Sequence, residues 1–163
     1  MNDIRKYVSD KISESTYEKL NQLKEINFKY GKLSYFSKEN IDREQEGYRY
    51  NPLNDEIIEE WPDDNYVIIG IDNSVGDGGE PIMIKIDEAK MPIYHFENLD
   101  WNYPEIIADS LDDYIIINNK ISEYLDNLKN GNSSEIDFNN LSEDIKNTNS
   151  SSYWDNLLDN LNI

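Results

Sequence analysis

The sequence predicts an α+β domain, a short β-meander followed by a helix, on three observations. Residues 66–71, Tyr-Val-Ile-Ile-Gly-Ile, form a continuous apolar run of the kind a strand shows when it is buried on both faces. Ile82, Ile84 and Ile86 then alternate with Met83 and Lys85, and residues 91–96 form a third strand-like segment. Ser110 is followed by Leu111, Asp112 and Asp113, an N-cap with acids in the first turn, from which Leu111, Ile115, Ile121, Leu125 and Leu128 continue one apolar stripe to Lys129.

The other elements follow in order. Residues 3–26 predict a helix, with Ile4, Val8 and Ile12 on one stripe and Tyr17, Leu20, Leu23 and Ile26 on another, restarted by a capping box of Ser15 and Glu18. Between Phe28 and Phe36 the pattern shortens around Gly31, which predicts a short extended segment or hairpin. Residues 37–65 are polar and turn-rich; Pro62 favours an extended Trp61, and Asp63-Asp64-Asn65 turns the chain into the first clear strand. Pro92 falls in the first residues of the third strand, where a missing amide donor is tolerated, and residues 106–108 predict a short edge strand. Gly131-Asn132-Ser133-Ser134 ends the long helix. Beyond it residues 131–163 read as a polar linker, with residues 147–152 its most mobile part, and a short C-terminal helix carrying Trp154, Leu157, Leu158 and Leu161 on one face. The chain length suits one domain with residues 1–130 as its body, and the apolar face of the C-terminal helix needs a partner surface, most simply that body.

Composition limits the function classes. Apolar residues make up 37% and aromatics 12% of the chain at a mean hydropathy of −0.80, so aromatic rings supply bulk that aliphatic residues do not. There is no cysteine, hence no disulfide framework and no thiolate metal site. No stretch approaches the roughly 20 apolar residues of a membrane span, and the first residues alternate charges, so a cytoplasmic protein is expected. Net charge is −19 and unevenly spread. Ten basic residues face nine acidic ones in residues 1–50, whereas five Lys face twenty-five Asp or Glu in residues 51–163. A field of that sign repels nucleic acid and anionic membranes and speeds encounter with a basic partner, although solubility alone also explains it.

The loop of residues 72–80, with Asp72, Asp77, Glu80 and three glycines, invites a calcium reading, but its acids do not fall at the alternate positions of an EF-hand loop, and a tight acidic β-connection is favoured. The glycines are not followed by Lys-Ser or Lys-Thr, as a phosphate cradle would require. His95 is the only histidine; without cysteine or a Gly-x-Ser-x-Gly elbow it has no nucleophile to activate, so a structural or surface role is favoured. No catalytic, cofactor-binding or metal residues are assigned. Trp61, Trp101 and Tyr103 lie in loops flanking the sheet. A core or subcore place, where they fill space, is favoured for each; exposed, together with Asp63, Asp64, Asp72, Asp77, Asp100 and Glu105, they would form an acidic rim around aromatic anchors.

The succession Ile-Gly-Ile-Asp, Gly76-Asp77, Pro92-Ile93-Tyr94 and Ser110-Leu111-Asp112-Asp113-Tyr114 resembles the SUKH superfamily, which contains the Smi/Knr-type cell-wall assembly regulator of yeast and many bacterial immunity proteins. The likeness covers about residues 61–125; the Leu-Pro-x-x-Tyr helix and Asn-Gly-Gly turn of many members are missing from the front. The resemblance implies a curved, mainly antiparallel sheet with helices packed around it. It also implies a non-enzymatic role: an immunity protein or antitoxin that binds a basic, nuclease-like toxin domain, or alternatively a regulatory interaction scaffold of the Smi/Knr type. On that reading the partner-binding residues are Trp61, Asp63, Asp64, Asp72, Asp77, Glu80, Trp101 and Tyr103.

Overall fold

The computed structural model describes residues 6–74 and 78–161. Six strands form one antiparallel sheet in chain order: β1 (Ile26–Asn27), β2 (Lys32–Tyr35), β3 (Tyr66–Asn73), β4 (Glu80–Lys85), β5 (Ile93–His95) and β6 (Glu105–Ala108). The meander curls into a half-barrel against five helices: α1 (Lys6–Lys11), α2 (Glu14–Leu20), α3 (Leu111–Lys129), α4 (Glu135–Thr148) and α5 (Ser152–Asp159). The α+β expectation and the curved antiparallel sheet are both present in this architecture.

β3 is central, as its double-sided apolar run requires. Val67 and Ile69 enter the larger core with the helices, while Tyr66, Ile68 and Ile71 face a second cluster with Trp61, Met83, Tyr94 and Phe96. Opposite β4 the register passes from Ile68–Met83 to Gly70–Ile82, so Ile69 is an extra residue, a bulge that bends the sheet and increases its twist. Gly70 sits where β2 crosses closely. A Cβ there would lie 2.5 Å from the Ser34 carbonyl oxygen and 2.7 Å from the Tyr35 ring, which is why the apolar run is broken by glycine.

The far face of the sheet is covered by the polar segment between β2 and β3, and Arg49 holds that cover in place. Its side chain is 1% exposed; Nη1 donates to the carbonyls of Tyr66 (2.9 Å) and Asp64 (3.1 Å), Nη2 pairs with the Asp64 carboxylate, and the rings of Tyr50 and Trp61 flank the guanidinium. Gln45 adds a buried amide, donating to the carbonyls of Ile41 and Ile68 and accepting from the Ile68 amide.

On the helical side, Asn118 of α3 joins the amide and carbonyl of Lys24 to the Tyr35 hydroxyl, which pairs in turn with the Tyr114 hydroxyl at 2.8 Å. Burial pushes both phenols far above their usual range.

Three expectations change. The helix expected over residues 3–26 is two helices ending at Leu20, and the restart is capped by Ser13, which accepts from the Thr16 amide, because Ser13 lies at the break itself. Residues 3–5 of that expectation lie outside the described residues. The polar segment after α3 is mostly helical: Ser134 and Asp137 make a reciprocal capping box for α4, whose Leu141 and Ile145 are buried. Asn147 and Thr148 close α4 and Ser152 opens α5, so the expected linker over residues 147–152 is reduced to three residues. The C-terminal helix then joins the main core through Tyr153, Trp154, Leu157 and Leu158, with Leu161 just beyond it. The apolar face of this helix thus packs on the body of the domain.

Candidate functional site

Strand alternation sends one residue from each of four neighbouring strands to the same side and the same end of the sheet. Asp72 of β3 lies opposite Glu80 of β4, and His95 of β5 lies opposite Glu105 of β6. The result is a row of carboxylate, carboxylate, imidazole and carboxylate on the helix-facing side. α5 lies over this row and is fastened to both ends. The Tyr153 hydroxyl donates to Asp72 at 2.9 Å, and the hydroxyls of Ser151 and Ser152 donate to Glu105. Between sheet and helix opens a cleft of about 560 Å³, walled also by Gly78, Gly79, the turn of residues 97–99, and Asn156, Leu157 and Asn160.

Glu80 is the hinge of the arrangement. One carboxylate oxygen takes the His95 Nε2 hydrogen at 2.7 Å, and the other takes the Asn98 amide at 2.9 Å. That second bond holds a turn in which Asn98 (φ 53°) and Leu99 (φ 58°) are both left-handed, a conformation costly for leucine. His95 packs its ring on Tyr153, with centroids 4.7 Å apart. With Nε2 on the Glu80 carboxylate, the other ring nitrogen, Nδ1, is buried and has no hydrogen-bond partner. Burial pushes the Tyr153 phenol well above its usual range, and the Asp72 carboxylate adds to the shift.

The expected rim does not close into one surface. Asp63 and Asp64 lie before β3, where Asp63 faces Lys85 at 3.5 Å and Asp64 binds Lys11 at 2.7 Å and Arg49. The hydrogen bond from Lys11, with the Arg49 charge behind it, holds the Asp64 carboxyl below its ordinary range. Asp72 is eight residues further along, roughly 26 Å at the usual strand rise, so the two acidic groups occupy opposite ends of the sheet. Trp61 is buried in the second cluster, stacked on the half-buried Trp101 at 5.1 Å, and both fill space below the cover instead of projecting from it. Tyr103 alone of the three aromatics stands out, 76% exposed. Asp77 lies outside the described residues. Of the eight residues, the cleft gathers Asp72 and Glu80.

What the sequence reading did not assign to a site is His95, Glu97, Asn98 and Tyr153; Glu105 entered only as a member of the rim. The signal for the row was present in the strand periodicity: with β3 and β4 as a hairpin, Asp72 and Glu80 must meet, and His95 alternates with Tyr94 and Phe96 to face the helices. Tyr153 had no such signal, because its position depends on where α5 docks.

No protein-family model, curated protein or solved structure matches the chain. No helix among the described residues is long and apolar enough to cross a membrane, and none of their His, Asp and Glu side chains group in threes suited to a metal ion.

Proposed function

We propose that this protein is a non-enzymatic binding protein that neutralises a basic protein partner, in the manner of an immunity protein acting on a toxin domain in the cytoplasm. The carrying observation is the cleft: four carboxylates, Asp72, Glu80, Glu97 and Glu105, line it, and among the described residues no Lys or Arg does. It opens from a body whose residues 51–163 hold five Lys against twenty-five acids, so the long-range field and the local lining have the same sign. Such a field steers a basic partner during encounter, and the carboxylates then stand where nucleic-acid phosphates would otherwise sit on a nuclease-like domain. The short-motif resemblance to SUKH immunity proteins supports the same reading. Reaction chemistry has no part in it: His95, the only imidazole, is committed to Glu80 and stacked on Tyr153.

The test is an affinity capture from the native host with the full chain as bait, at low and at high salt, followed by identification of the captured chain and assay of its toxicity with and without the bait. One basic polypeptide, bound more weakly at high salt and rendered harmless by the bait, is the expected result. Several unrelated proteins, or a captured chain whose activity the bait leaves unchanged, would overturn neutralisation in favour of a regulatory scaffold.

A further inference from the structure

The partner's contact inside the cleft can be specified further, on the reading that the partner is basic. We propose that the cleft between the Asp72–Glu80–His95–Glu105 row and α5 receives one guanidinium group, an arginine side chain presented by that partner.

Three features converge on this chemistry. Asp72 and Glu80 are direct cross-strand neighbours of like charge, an arrangement that is unfavourable unless a cation relieves it. Among the described residues no Lys or Arg lines the cleft to do so. Independently of the charges, His95 is 6% exposed, forms part of the cleft wall and keeps a buried ring nitrogen, Nδ1, without a hydrogen-bond partner. The site is therefore crowded with negative charge and holds a buried polar atom left unpaired. Glu97 and Glu105 add two more carboxylates, and each ionised carboxylate keeps acceptor capacity beyond the bonds it already makes. A guanidinium brings five N–H donors in one rigid plane and can bridge acceptors on different strands, whereas an ammonium brings three from a single point and holds its water more tightly. The walls also offer apolar surface for the three methylenes of an arginine stem: the Tyr153 ring, Leu157 of α5 and Leu99 of the strained turn. At about 560 Å³ the cavity is in the range of small-ligand sites, large enough for the whole side chain.

The row is thus a surface kept at a cost in stability for the sake of binding, which separates it from a merely structural arrangement. In the double variant Asp72→Asn, Glu105→Gln each new amide keeps an oxygen to accept from Tyr153, Ser151 or Ser152, and two charges disappear. Its thermal midpoint should equal or exceed that of the parent, while a structural role predicts a lower one.

The experiment is an amide NMR titration of the full chain with N-acetylarginine amide, its neutral citrulline analogue and its lysine analogue. Saturable millimolar shifts confined to Gly78, Gly79, Asn98, Asn156 and Asn160 are expected with arginine, at least fivefold weaker binding with lysine, and none with citrulline. The double variant should bind arginine at least tenfold more weakly with no fall in midpoint. Shifts that scatter over the acidic surface without saturating, equal response to citrulline or lysine, or unchanged binding in the variant would overturn the assignment. The two readings fail separately. A basic partner whose affinity survives the double substitution removes the cleft and leaves neutralisation standing; saturable arginine binding with no basic partner captured does the reverse.

Discussion

Trp154 decides whether the C-terminal helix is an appendage or part of the fold. Its indole is 1% exposed, packs against Tyr153 and Tyr114 at 5.0 and 6.0 Å between centroids, and donates from Nε1 to the Ile107 carbonyl at 2.7 Å. That bond satisfies an outer-edge carbonyl of β6, the last strand of the sheet, as a seventh strand would otherwise do. An aromatic side chain buries about 150–250 Å², which at about 25 cal/mol per Å² corresponds to about 4–6 kcal/mol. Large aromatic-to-alanine truncations in cores cost about 3–5 kcal/mol. Leaving the Ile107 carbonyl without a donor in a buried position costs a further 1–3 kcal/mol or so, part of which relaxation recovers. Trp154→Ala is therefore expected to lower stability by about 4–6 kcal/mol, and Trp154→Phe, which keeps a ring but not the donor, by about 1–3 kcal/mol. For a domain of this size each kcal/mol moves the thermal midpoint by about 2–4 °C. Urea unfolding followed by far-UV circular dichroism, with m-values compared to the parent, measures both. A loss below about 1 kcal/mol for Trp154→Ala would refute the docking of α5 on β6 and return residues 131–163 to the status of an appended tail.

Further outcomes follow from the other buried contacts. Arg49→Ala leaves the Tyr66 and Asp64 carbonyls without their donor and should cost about 2–4 kcal/mol, and Arg49→Lys should recover less than half of it because an ammonium cannot reproduce the fork; chemical denaturation of the three proteins checks this. Gly70→Ala drives a methyl against the Ser34 carbonyl and the Tyr35 ring and should cost about 1–3 kcal/mol, readable as a fall in thermal midpoint with the fold retained in circular dichroism. Stability should also fall steeply in alkali. Tyr17 and Tyr66 are pushed up to about 12, and Tyr35, Tyr114 and Tyr153 are raised too, chiefly by burial. Their raised values favour the folded state fully below the ordinary phenol value of 10.0, and that contribution is lost as pH climbs from there through about 12. Tyr153→Phe should reduce the slope of stability against pH in this window by about 1.4 kcal/mol per pH unit, measured by urea midpoints from pH 9 upward; an unchanged slope would mean that this phenol ionises freely in the folded protein.

Periodicity by itself determined the meander, the central place of β3 and the start of α3. A run apolar at every position can only be satisfied between two layers, and Ser110 caps the helix with its own side chain, so each is a local consequence of neighbouring residues. Strand alternation also contained the meeting of Asp72 with Glu80, once the two strands are paired as a hairpin. The sequence could not show Asp64 tied to Lys11 and Arg49, although the strand predicted over residues 66–71 already sets Asp63 and Asp64 at the opposite end of the sheet from Glu80. Nor could it show that Trp61 and Trp101 fill a second core beneath Arg49. An arginine in a polar, turn-rich segment looks solvated until the carbonyls it satisfies, seventeen residues away in the case of Tyr66, are brought to it.

The residues after 130 show the limit most clearly. Their Asn, Ser and Asp content is that of a linker, yet α4 needs only Leu141 and Ile145 on the core, and α5 is held by Trp154 against a strand forty-seven residues earlier. Local chemistry settled which segments could be strand or helix, since backbone and side-chain preferences act over a few residues. The cleft, its acidic row and the burial of Tyr153 arose only when distant segments met, because charge crowding and desolvation are properties of the assembled surface and not of any stretch of chain.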